Sequence, residues 1–319
     1  GYQAAYSNTT GTRNTGLGYY AVRASTTVND NTGLGYAALY LTTGASNTAV
    51  GSQALISNTS GTANASLGYN SLGSSTTGSY NTALGTQALN SNTTASYNTA
   101  VGFTALYTNS TGTNNTAVGY QAIASTSTGS NNTALGAEAL ENNTTASNNT
   151  AVGYQAGYSN TTGGQITAIG TEALKDNTTG DYNTAVGFYA LTNTTTPQSN
   201  TGIGHSALSA NTTGGYNTAM GHQALTSNTT ANYNTAVGYQ AGYAYNGSLG
   251  SNTYVGFQAG QNSTGDSNTF VGARVISTGK GCGQDMTTGA KNTILGAYSG
   301  NQGGLDIRTS DNNIVLSDG

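Results

Sequence analysis

The sequence predicts an all-β fold, a parallel β-solenoid (β-roll) built from 17-residue coils. Three observations predict it. A glycine recurs at a 17-residue spacing almost throughout, an aliphatic residue or Met always precedes it, and Thr nearly always stands three places before it. The idealised unit reads N-T-A-V-G-Y-Q-A-L-x-S-N-T-T-G-x-Y. A helical hairpin repeat needs roughly 30 or more residues, so this unit must bury its apolar residues by stacking on its neighbours.

The repeat glycines set the register of the coils. They are Gly1, Gly18, Gly35, Gly51, Gly68, Gly85, Gly102, Gly119, Gly136, Gly153, Gly170, Gly187, Gly204, Gly221, Gly238, Gly256, Gly272 and Gly296. The spacing slips by one residue at Gly51 and around Gly256, and the last two glycines stand further apart than any other neighbouring pair. So regular a recurrence cannot be an accident of composition.

Each unit offers residues for two short strands and two turns. The Thr-Ala-Val run before the glycine suits a strand, because β-branched residues favour one and stacked Thr residues contact each other across coils. The Ala-Leu pair that follows the glycine is assigned to a second strand. The Ser-Asn-Thr-Thr-Gly run supplies the residues that turns prefer. Helix is disfavoured because each unit contains one or two Gly and this polar run.

The assigned second strand also predicts side-by-side assembly. Neighbouring residues of a strand point to opposite faces, so Ala and Leu cannot both fill the interior of one coil. We therefore expect the Leu column, the residues four places after each glycine such as Leu106 and Leu225, to be buried against other copies. The Ala-x-Gly face would let another backbone approach closely.

Composition narrows the range of functions. Only 6% of the residues are charged and the net charge is −4, so no basic face for nucleic acid or anionic lipid is expected. No stretch approaches the roughly 18 apolar residues that span a membrane. The single Cys282 leaves no disulfide framework. The chain begins in the middle of its own repeat, and we expect it to be a segment of a longer polypeptide.

The motifs A-V-G-Y-Q-A at 117–122 and A-I-G-T-E-A at 168–173 carry a family resemblance. They resemble the A-I-G-x-x-A repeat in the head domains of trimeric autotransporter adhesins. The resemblance covers nearly the whole chain, although the family's unit is shorter. It implies a left-handed parallel β-roll and a side-by-side homotrimer.

The C-terminal run S-D-N-N-I-V-L-S-D-G at 310–319 is similar to the stretch that precedes the self-cleaving chaperone domain of phage tail fibres and spikes. Together the resemblances imply a structural and adhesive segment of an extracellular trimeric fibre. We expect a phage tail fibre shaft or head at the virion surface that contacts host cell-surface carbohydrate. The expected partners are other copies of the chain and this carbohydrate, without nucleic acid or membrane insertion.

Two alternatives stay open. The first is the head of a bacterial trimeric adhesin, located at the bacterial cell surface. The second belongs to another class, an ice-binding solenoid. It is motivated by the regular Thr column: Thr82, Thr99, Thr116, Thr133 and Thr150. Against it, only one Thr column is regular, and no Thr-x-Thr doublet recurs from coil to coil to give a flat second row.

Two pairs of residues are candidates for metal binding or catalysis, and the sequence favours neither role. His205 and His222 stand one repeat apart in a column whose other rings are Tyr and Phe, so we expect stacked rings rather than metal ligands. Glu138 and Glu172 share a column two coils apart, about 9.6 Å from the strand spacing, near the upper limit for an inverting glycosidase. A regular solenoid face offers no cleft, however. We predict no catalytic residue, no metal, no cofactor and no enzyme activity.

Glycan acceptor motifs and a Tyr column fall in the turns. The Asn-x-Ser/Thr motifs at Asn92, Asn177, Asn211 and Asn228 are interpreted as turn chemistry, with glycan attachment as a minor alternative. The Tyr column stands twelve places after the glycine and comprises Tyr80, Tyr97, Tyr182, Tyr216 and Tyr233. Packing between coils or chains is the favoured interpretation of this column, and weak sugar contact is the alternative.

The register breaks after Gly272. We assign residues 1–276 to the repeat solenoid, and 277–319 to an irregular last coil, a cap and an exit segment. The insertion contains Lys280 and Cys282. Cys282 is interpreted as an inert thiol, because no His stands near it in the sequence.

Overall fold

The computed structural model describes residues 1–272, 274 and 279–317 of the chain. These residues form an all-β parallel solenoid of about 18 turns, and none of them lies in a helix. The predicted fold class is confirmed. The chain divides into two compact units, Gly1–Thr162 and Gly163–Gly319.

The first unit contains one strand in each coil. The strands are β1 (Thr15–Leu17), β2 (Thr32–Leu34), β3 (Thr48–Val50), β4 (Ala65–Leu67), β5 (Thr82–Leu84), β6 (Thr99–Val101), β7 (Thr116–Val118), β8 (Thr133–Leu135) and β9 (Thr150–Val152). Consecutive strands pair in parallel, with Thr116 opposite Thr133 as the typical register. This pairing confirms the 17-residue coil. The pairing of Thr32 with Thr48 marks a coil that is one residue shorter.

The second unit shows the same pattern. Its strands are β10 (Thr167–Ile169), β11 (Thr184–Val186), β12 (Thr201–Ile203), β13 (Thr218–Met220), β14 (Thr235–Val237), β15 (Thr253–Val255), β16 (Thr269–Val271), β17 (Thr293–Gly296), β18 (Asn301–Gln302), β19 (Leu305–Asp306) and β20 (Ile314–Ser317). The register again pairs Thr184 with Thr201. Longer coils separate β16, β17 and β20, which pair Thr269 with Thr293 and Thr293 with Ile314.

Among the described residues, each regular coil contains one strand rather than the predicted two. The segment after the repeat glycine is a run of turns in which alternate residues have a positive φ, such as Gln121 (53°) and Ile123 (49°). The N–H of Gln121 donates to the Phe103 carbonyl in the preceding coil, and the N–H of Ile123 donates to the Ala139 carbonyl in the following coil, both at 3.0 Å. These bonds between coils stabilise a conformation that otherwise costs about 1–2 kcal/mol per residue.

Three columns of apolar side chains fill the interior. They are the middle residue of each strand, the Ala three places after the glycine and the Leu column, as in Ala117, Ala122 and Ile123, all fully buried. Leu106 and Leu225 are also fully buried within their own chain. The prediction that the Leu column faces other copies is therefore wrong. A strand would send Ala and Leu to opposite sides, whereas this turn backbone sends both inward.

A ladder of buried Asn residues, four places before the glycine, runs through the interior of each unit. Asn115 shows its bonding. Its N–H donates to Asn98 Oδ1 at 2.9 Å, its Nδ2 donates to the Gly129 carbonyl at 2.8 Å, and its Oδ1 accepts the N–H of Asn132 at 2.9 Å. The Asn side chains thus satisfy buried backbone groups from turn and strand, as buried polar groups require.

Large rings replace small core residues towards the end of the second unit. Tyr254 and Phe270 occupy the middle of their strands and are fully buried. The Leu column compensates by changing to Gly. A Cβ on Gly260 would lie 2.5 Å from Tyr254 Cε1, and a Cβ on Gly283 would lie 2.5 Å from Phe270 Cδ2. The ring therefore takes the volume that Ala and Leu share in other coils.

In the final coils the parallel sheet continues, and longer loops connect its strands. The predicted domain boundary at 276/277 falls outside the described residues, and beyond it β17 and β20 pair in parallel. The hairpin β18–β19 lies between them in sequence and is antiparallel. Lys280 forms an ion pair with Asp285 at 2.8 Å in the insertion. The division into solenoid and cap remains a prediction.

Candidate functional site

The outer face of the strands carries a column of exposed aliphatic residues. The first and third residues of each strand point outwards and the middle one is buried, as in Thr133, Ala134 and Leu135 of β8. The third residue directly precedes the repeat glycine and forms the aliphatic column. Its most exposed members in the first unit have 38–61% of their surface free: Leu17, Leu34, Leu67, Leu84 and Leu135.

A ring column lies on the other side of the glycine. In the first unit it contains Tyr2, Tyr19, Tyr36, Tyr69, Phe103, Tyr120 and Tyr154, each 43–62% exposed. In the second unit it contains Phe188, His205, His222, Tyr239 and Phe257. The rings of Phe103 and Tyr120 stack with centroids 5.8 Å apart and planes 9° apart. This separation follows the spacing of parallel strands, about 4.8 Å, because the two rings come from neighbouring coils.

Bare backbone separates the two columns. At Gly119 φ is +139°, and a Cβ there would lie 2.3 Å from the Gly136 carbonyl oxygen, so only glycine fits. We call the aliphatic column, the glycine and the ring column together the apolar stripe. Neither column contains Asp, Glu, Lys or Arg in the part of the chain that the structure describes.

The Tyr column predicted for packing or sugar contact is exposed in the single chain. Tyr80 stacks on Tyr97 with centroids 5.1 Å apart, and Tyr216 stacks on Tyr233 at 5.3 Å. Tyr182 is 56% exposed and belongs to neither stacked pair. Stacking covers one face of each paired ring and leaves the ring edges and hydroxyls outside. Packing between coils or chains therefore remains the favoured prediction for this column, with sugar contact as the alternative.

The two His residues stack as predicted. Their ring centroids are 5.0 Å apart, and Phe188 and Tyr239 continue the stack on either side at 5.3 Å. No group of three or more His, Cys, Asp or Glu side chains suited to a metal ion occurs in residues 1–272, 274 and 279–317. The pair therefore belongs to the ring column.

The two carboxylates considered for catalysis each contact a neighbour in their own unit. Glu138 Oε2 accepts a hydrogen bond from Gln155 Nε2 at 2.6 Å. Glu172 Oε2 pairs with Lys175 Nζ at 3.1 Å. Burial, and then the charge of Glu138, raises the pKa of Glu141 above its ordinary value. None of these contacts assigns a catalytic role.

The four Asn residues named above as glycan acceptors are buried. Asn92, Asn177, Asn211 and Asn228 have no exposed surface. Asn92 Nδ2 donates to the Ala95 carbonyl at 3.0 Å, and Asn228 Nδ2 donates to Asn211 Oδ1 at 3.0 Å. These amides hold the turns from inside, so a glycan could be attached only before the chain folds.

Cys282 is fully buried, with its Sγ 3.6 Å from the Ile294 carbonyl oxygen. Burial raises the pKa of the thiol to about 12. At neutral pH the sulfur is therefore protonated, and only the thiolate is a good nucleophile. This agrees with the interpretation of Cys282 as an inert thiol.

The Thr column behind the ice-binding alternative lies at the start of the strands, as in β5 to β9. Its side chains point outwards and are half-buried or exposed, as at Thr82 and Thr133. The second outward position of the same strands belongs to the aliphatic column. The strand face therefore pairs one row of Thr with one row of aliphatic residues.

Sequence analysis missed an aromatic cluster around Arg23. Its guanidinium carbon lies 5.8, 5.2 and 5.5 Å from the ring centres of Tyr6, Tyr20 and Tyr40, within the range of cation–π attraction. Arg23 Nη1 also donates to the Tyr40 hydroxyl at 3.1 Å. The signal was present in the sequence, because Tyr6, Arg23 and Tyr40 hold the same place in three consecutive coils.

Sequence analysis also missed a groove in the second unit, which we call the Tyr189 groove. It has a volume of about 290 Å³ and is lined by Glu172, Tyr189, Thr192, Asn193, Ser206 and Ser209. These residues come from three consecutive coils, at the second, fifth and sixth places after the glycine. The expectation that a regular face has no cleft is therefore wrong at this point.

Within the described residues, no helix is long and apolar enough to cross a membrane. Comparison with protein-family models, with curated protein sequences and with solved structures gives no match.

Proposed function

We propose that this chain is a structural and adhesive segment of an extracellular fibre made of three copies, of the kind that forms the shaft or head of a phage tail fibre. The observation that supports it is the apolar stripe. In each unit, aliphatic residues recur in every regular coil and aromatic residues in most coils on the strand face, outside a core that is already complete. Copies that meet along this stripe would bury it.

The stripe offers enough surface for a stable contact. The seven rings of the first unit are each about half exposed. At roughly 150–250 Å² per aromatic side chain, they provide on the order of 700 Å². Stable interfaces bury roughly 800 Å² per partner, and the aliphatic column adds to the rings. Soluble monomers seldom leave a patch of more than a few hundred Å² exposed.

Further copies of this chain are the occupant that fits the stripe. Every copy repeats the same spacing, so parallel chains would match coil for coil. No Asp, Glu, Lys or Arg in the described members of the two columns opposes their approach. The bare glycine between the columns lets backbones come close. The number three, the extracellular location and the tail-fibre role rest on the family resemblances.

Two substitutions in one strand test the proposal. Leu135→Asp places a charge in the stripe, and Thr133→Asp places the same charge on the same face of β8 outside it. We expect Leu135→Asp to reduce the native mass to that of a single chain and Thr133→Asp to leave the assembly intact. Far-UV circular dichroism should show the same β-signal for both. Equal native masses for the two variants would exclude the stripe as the contact between copies.

A further inference from the structure

The Tyr189 groove lies in the column of side chains two places after each glycine, at a point where the described side chains of neighbouring coils form no hydrogen bond with one another. Further along the second unit, Gln240 and Gln258 stand two places after their glycines, and Gln258 Nε2 donates to Gln240 Oε1 at 3.0 Å. In three earlier coils this column contains Glu172, Tyr189 and Ser206, which differ in length and chemistry. No side-chain hydrogen bond joins these three in the described structure, and the groove lies among them.

Polar atoms with unused bonding capacity line this groove. Glu172 bonds Lys175 through Oε2, and its Oε1 accepts no bond from the described residues. Asn193 donates from Nδ2 to the Ser209 carbonyl at 2.8 Å, which leaves its Oδ1 available. The hydroxyl groups of Ser206 and Ser209 make no hydrogen bond to protein in the described structure. Acceptors and donors therefore converge on a small space, as in pockets that orient a polar ligand.

The wall of the groove is aromatic. The ring of Tyr189 is half-buried and packs on Phe188, with centroids 3.9 Å apart and planes tilted by 50°. The next residue in its column is Ser206, which is too small to cover the ring. An apolar ring beside several hydroxyl, amide and carboxylate groups suits a ligand that has both an apolar face and a rim of hydroxyls.

We propose that the Tyr189 groove binds a neutral sugar residue of a glycan, with one face of the sugar on Tyr189 and its hydroxyls bonded to Glu172, Asn193 and the serines. Among the described residues, the groove offers no cationic partner to an anionic sugar, because the Lys175 ammonium is already paired with the Glu172 carboxylate. A divalent cation is disfavoured, because the Lys175 ammonium lies 3.1 Å from the carboxylate and a calcium site needs about six to eight oxygen ligands. The inference rests on the adhesive half of the proposed function and not on assembly.

Titration with simple hexosides tests the sugar site. Methyl glucoside, methyl galactoside and methyl mannoside are added in turn while the NMR signals of the Tyr189 ring are followed. We expect a saturable shift with at least one of them and a weaker response to glucuronate. Absence of a saturable shift with all three at their highest soluble concentrations overturns the proposal.

Variants locate the binding in the groove. Ser206→Gln fills the groove with Gln, the commonest residue of this column. We expect the affinity for the hexoside to fall by about tenfold or more, which is the loss that removal of one good contact produces. Asn193→Ala removes an exposed amide without filling the groove and should also weaken binding. Gln240→Ser, the reverse change in the regular part of the column, should leave binding unchanged. Unchanged affinity in both groove variants overturns the proposal.

The outcome is separable from that of the assembly test. All groove residues belong to one chain, so the titration reads sugar binding whether or not copies associate. A single-chain mass with saturable hexoside binding would refute the assembly alone. A trimeric mass without hexoside binding would refute the sugar site alone.

Discussion

Replacing Asn115 by Ala tests whether the Asn ladder holds the coils together. The side chain accepts the N–H of Asn132 at 2.9 Å and donates to the Gly129 carbonyl at 2.8 Å. Without it, both backbone groups are left buried and unpaired. Each such group costs about 1–3 kcal/mol, so the free energy of unfolding should fall by roughly 2–6 kcal/mol.

The adjacent Thr116 provides the matched control. It begins β7, its side chain is exposed, and Thr116→Ala should change the free energy of unfolding by no more than about 0.5 kcal/mol. Urea denaturation followed by circular dichroism compares the variants at equal protein concentration, because any association would contribute to stability. Hydrogen exchange at the Asn132 amide gives the local effect. If Asn115→Ala costs no more than Thr116→Ala and leaves that amide protected, the account of the ladder is wrong.

Further predictions concern one buried side chain, two glycines and the buried thiol. Leu106→Ala should lower the free energy of unfolding in urea by about 2–5 kcal/mol, because the side chain is fully buried. Gly119→Ala should be strongly destabilising, whereas Gly303→Ala, whose Cβ would meet nothing within 4 Å, should cost only about 1 kcal/mol in the same assay. Cys282 should resist iodoacetamide at pH 8 until the chain unfolds. Folding raises the pKa of its thiol from 9.0 to about 12, so the unfolded state loses its proton first and stability should fall as pH rises from 9 to 12.

The period and the columns of the solenoid could be predicted because stacking makes them visible in the sequence. Each column mostly repeats one kind of residue at one spacing, as in the Thr that begins most strands and the rings that stack from His205 to His222. The ring column was recognised correctly, although its exposure was not foreseen. An exposed ring and a buried one look alike in a sequence without the backbone.

The backbone after the glycine could not be predicted from residue preferences. Residues such as Gln121 and Ile123 have no preference for a positive φ, and they adopt it because the neighbouring coils supply hydrogen bonds on both sides. That backbone turns the Leu column inward. The surface proposed for contact between copies is therefore the apolar stripe and not the Leu column. The buried role of Asn was missed for a related reason, since Asn in a polar run is typical of exposed turns.

The Tyr189 groove was missed because its signal is a departure from the repeat. Glu172 was examined as half of a catalytic pair, but the change from Gln to Tyr189 and Ser206 in the same column was not interpreted. The groove lies where the residues differ from the repeat consensus and neighbouring side chains no longer pair along the column. The same reasoning applies to Arg23, which interrupts a pair of tyrosines.

The native mass of the unmodified chain tests the central claim most directly. One chain has a mass of 31.9 kDa. The account predicts an assembly of three chains, about 96 kDa from three times that mass, with a β-rich circular dichroism spectrum. A mass of two chains would retain the apolar stripe as a contact and reject the trimer. A mass of 31.9 kDa with the same β-rich spectrum would contradict the claim that the stripe is buried between copies.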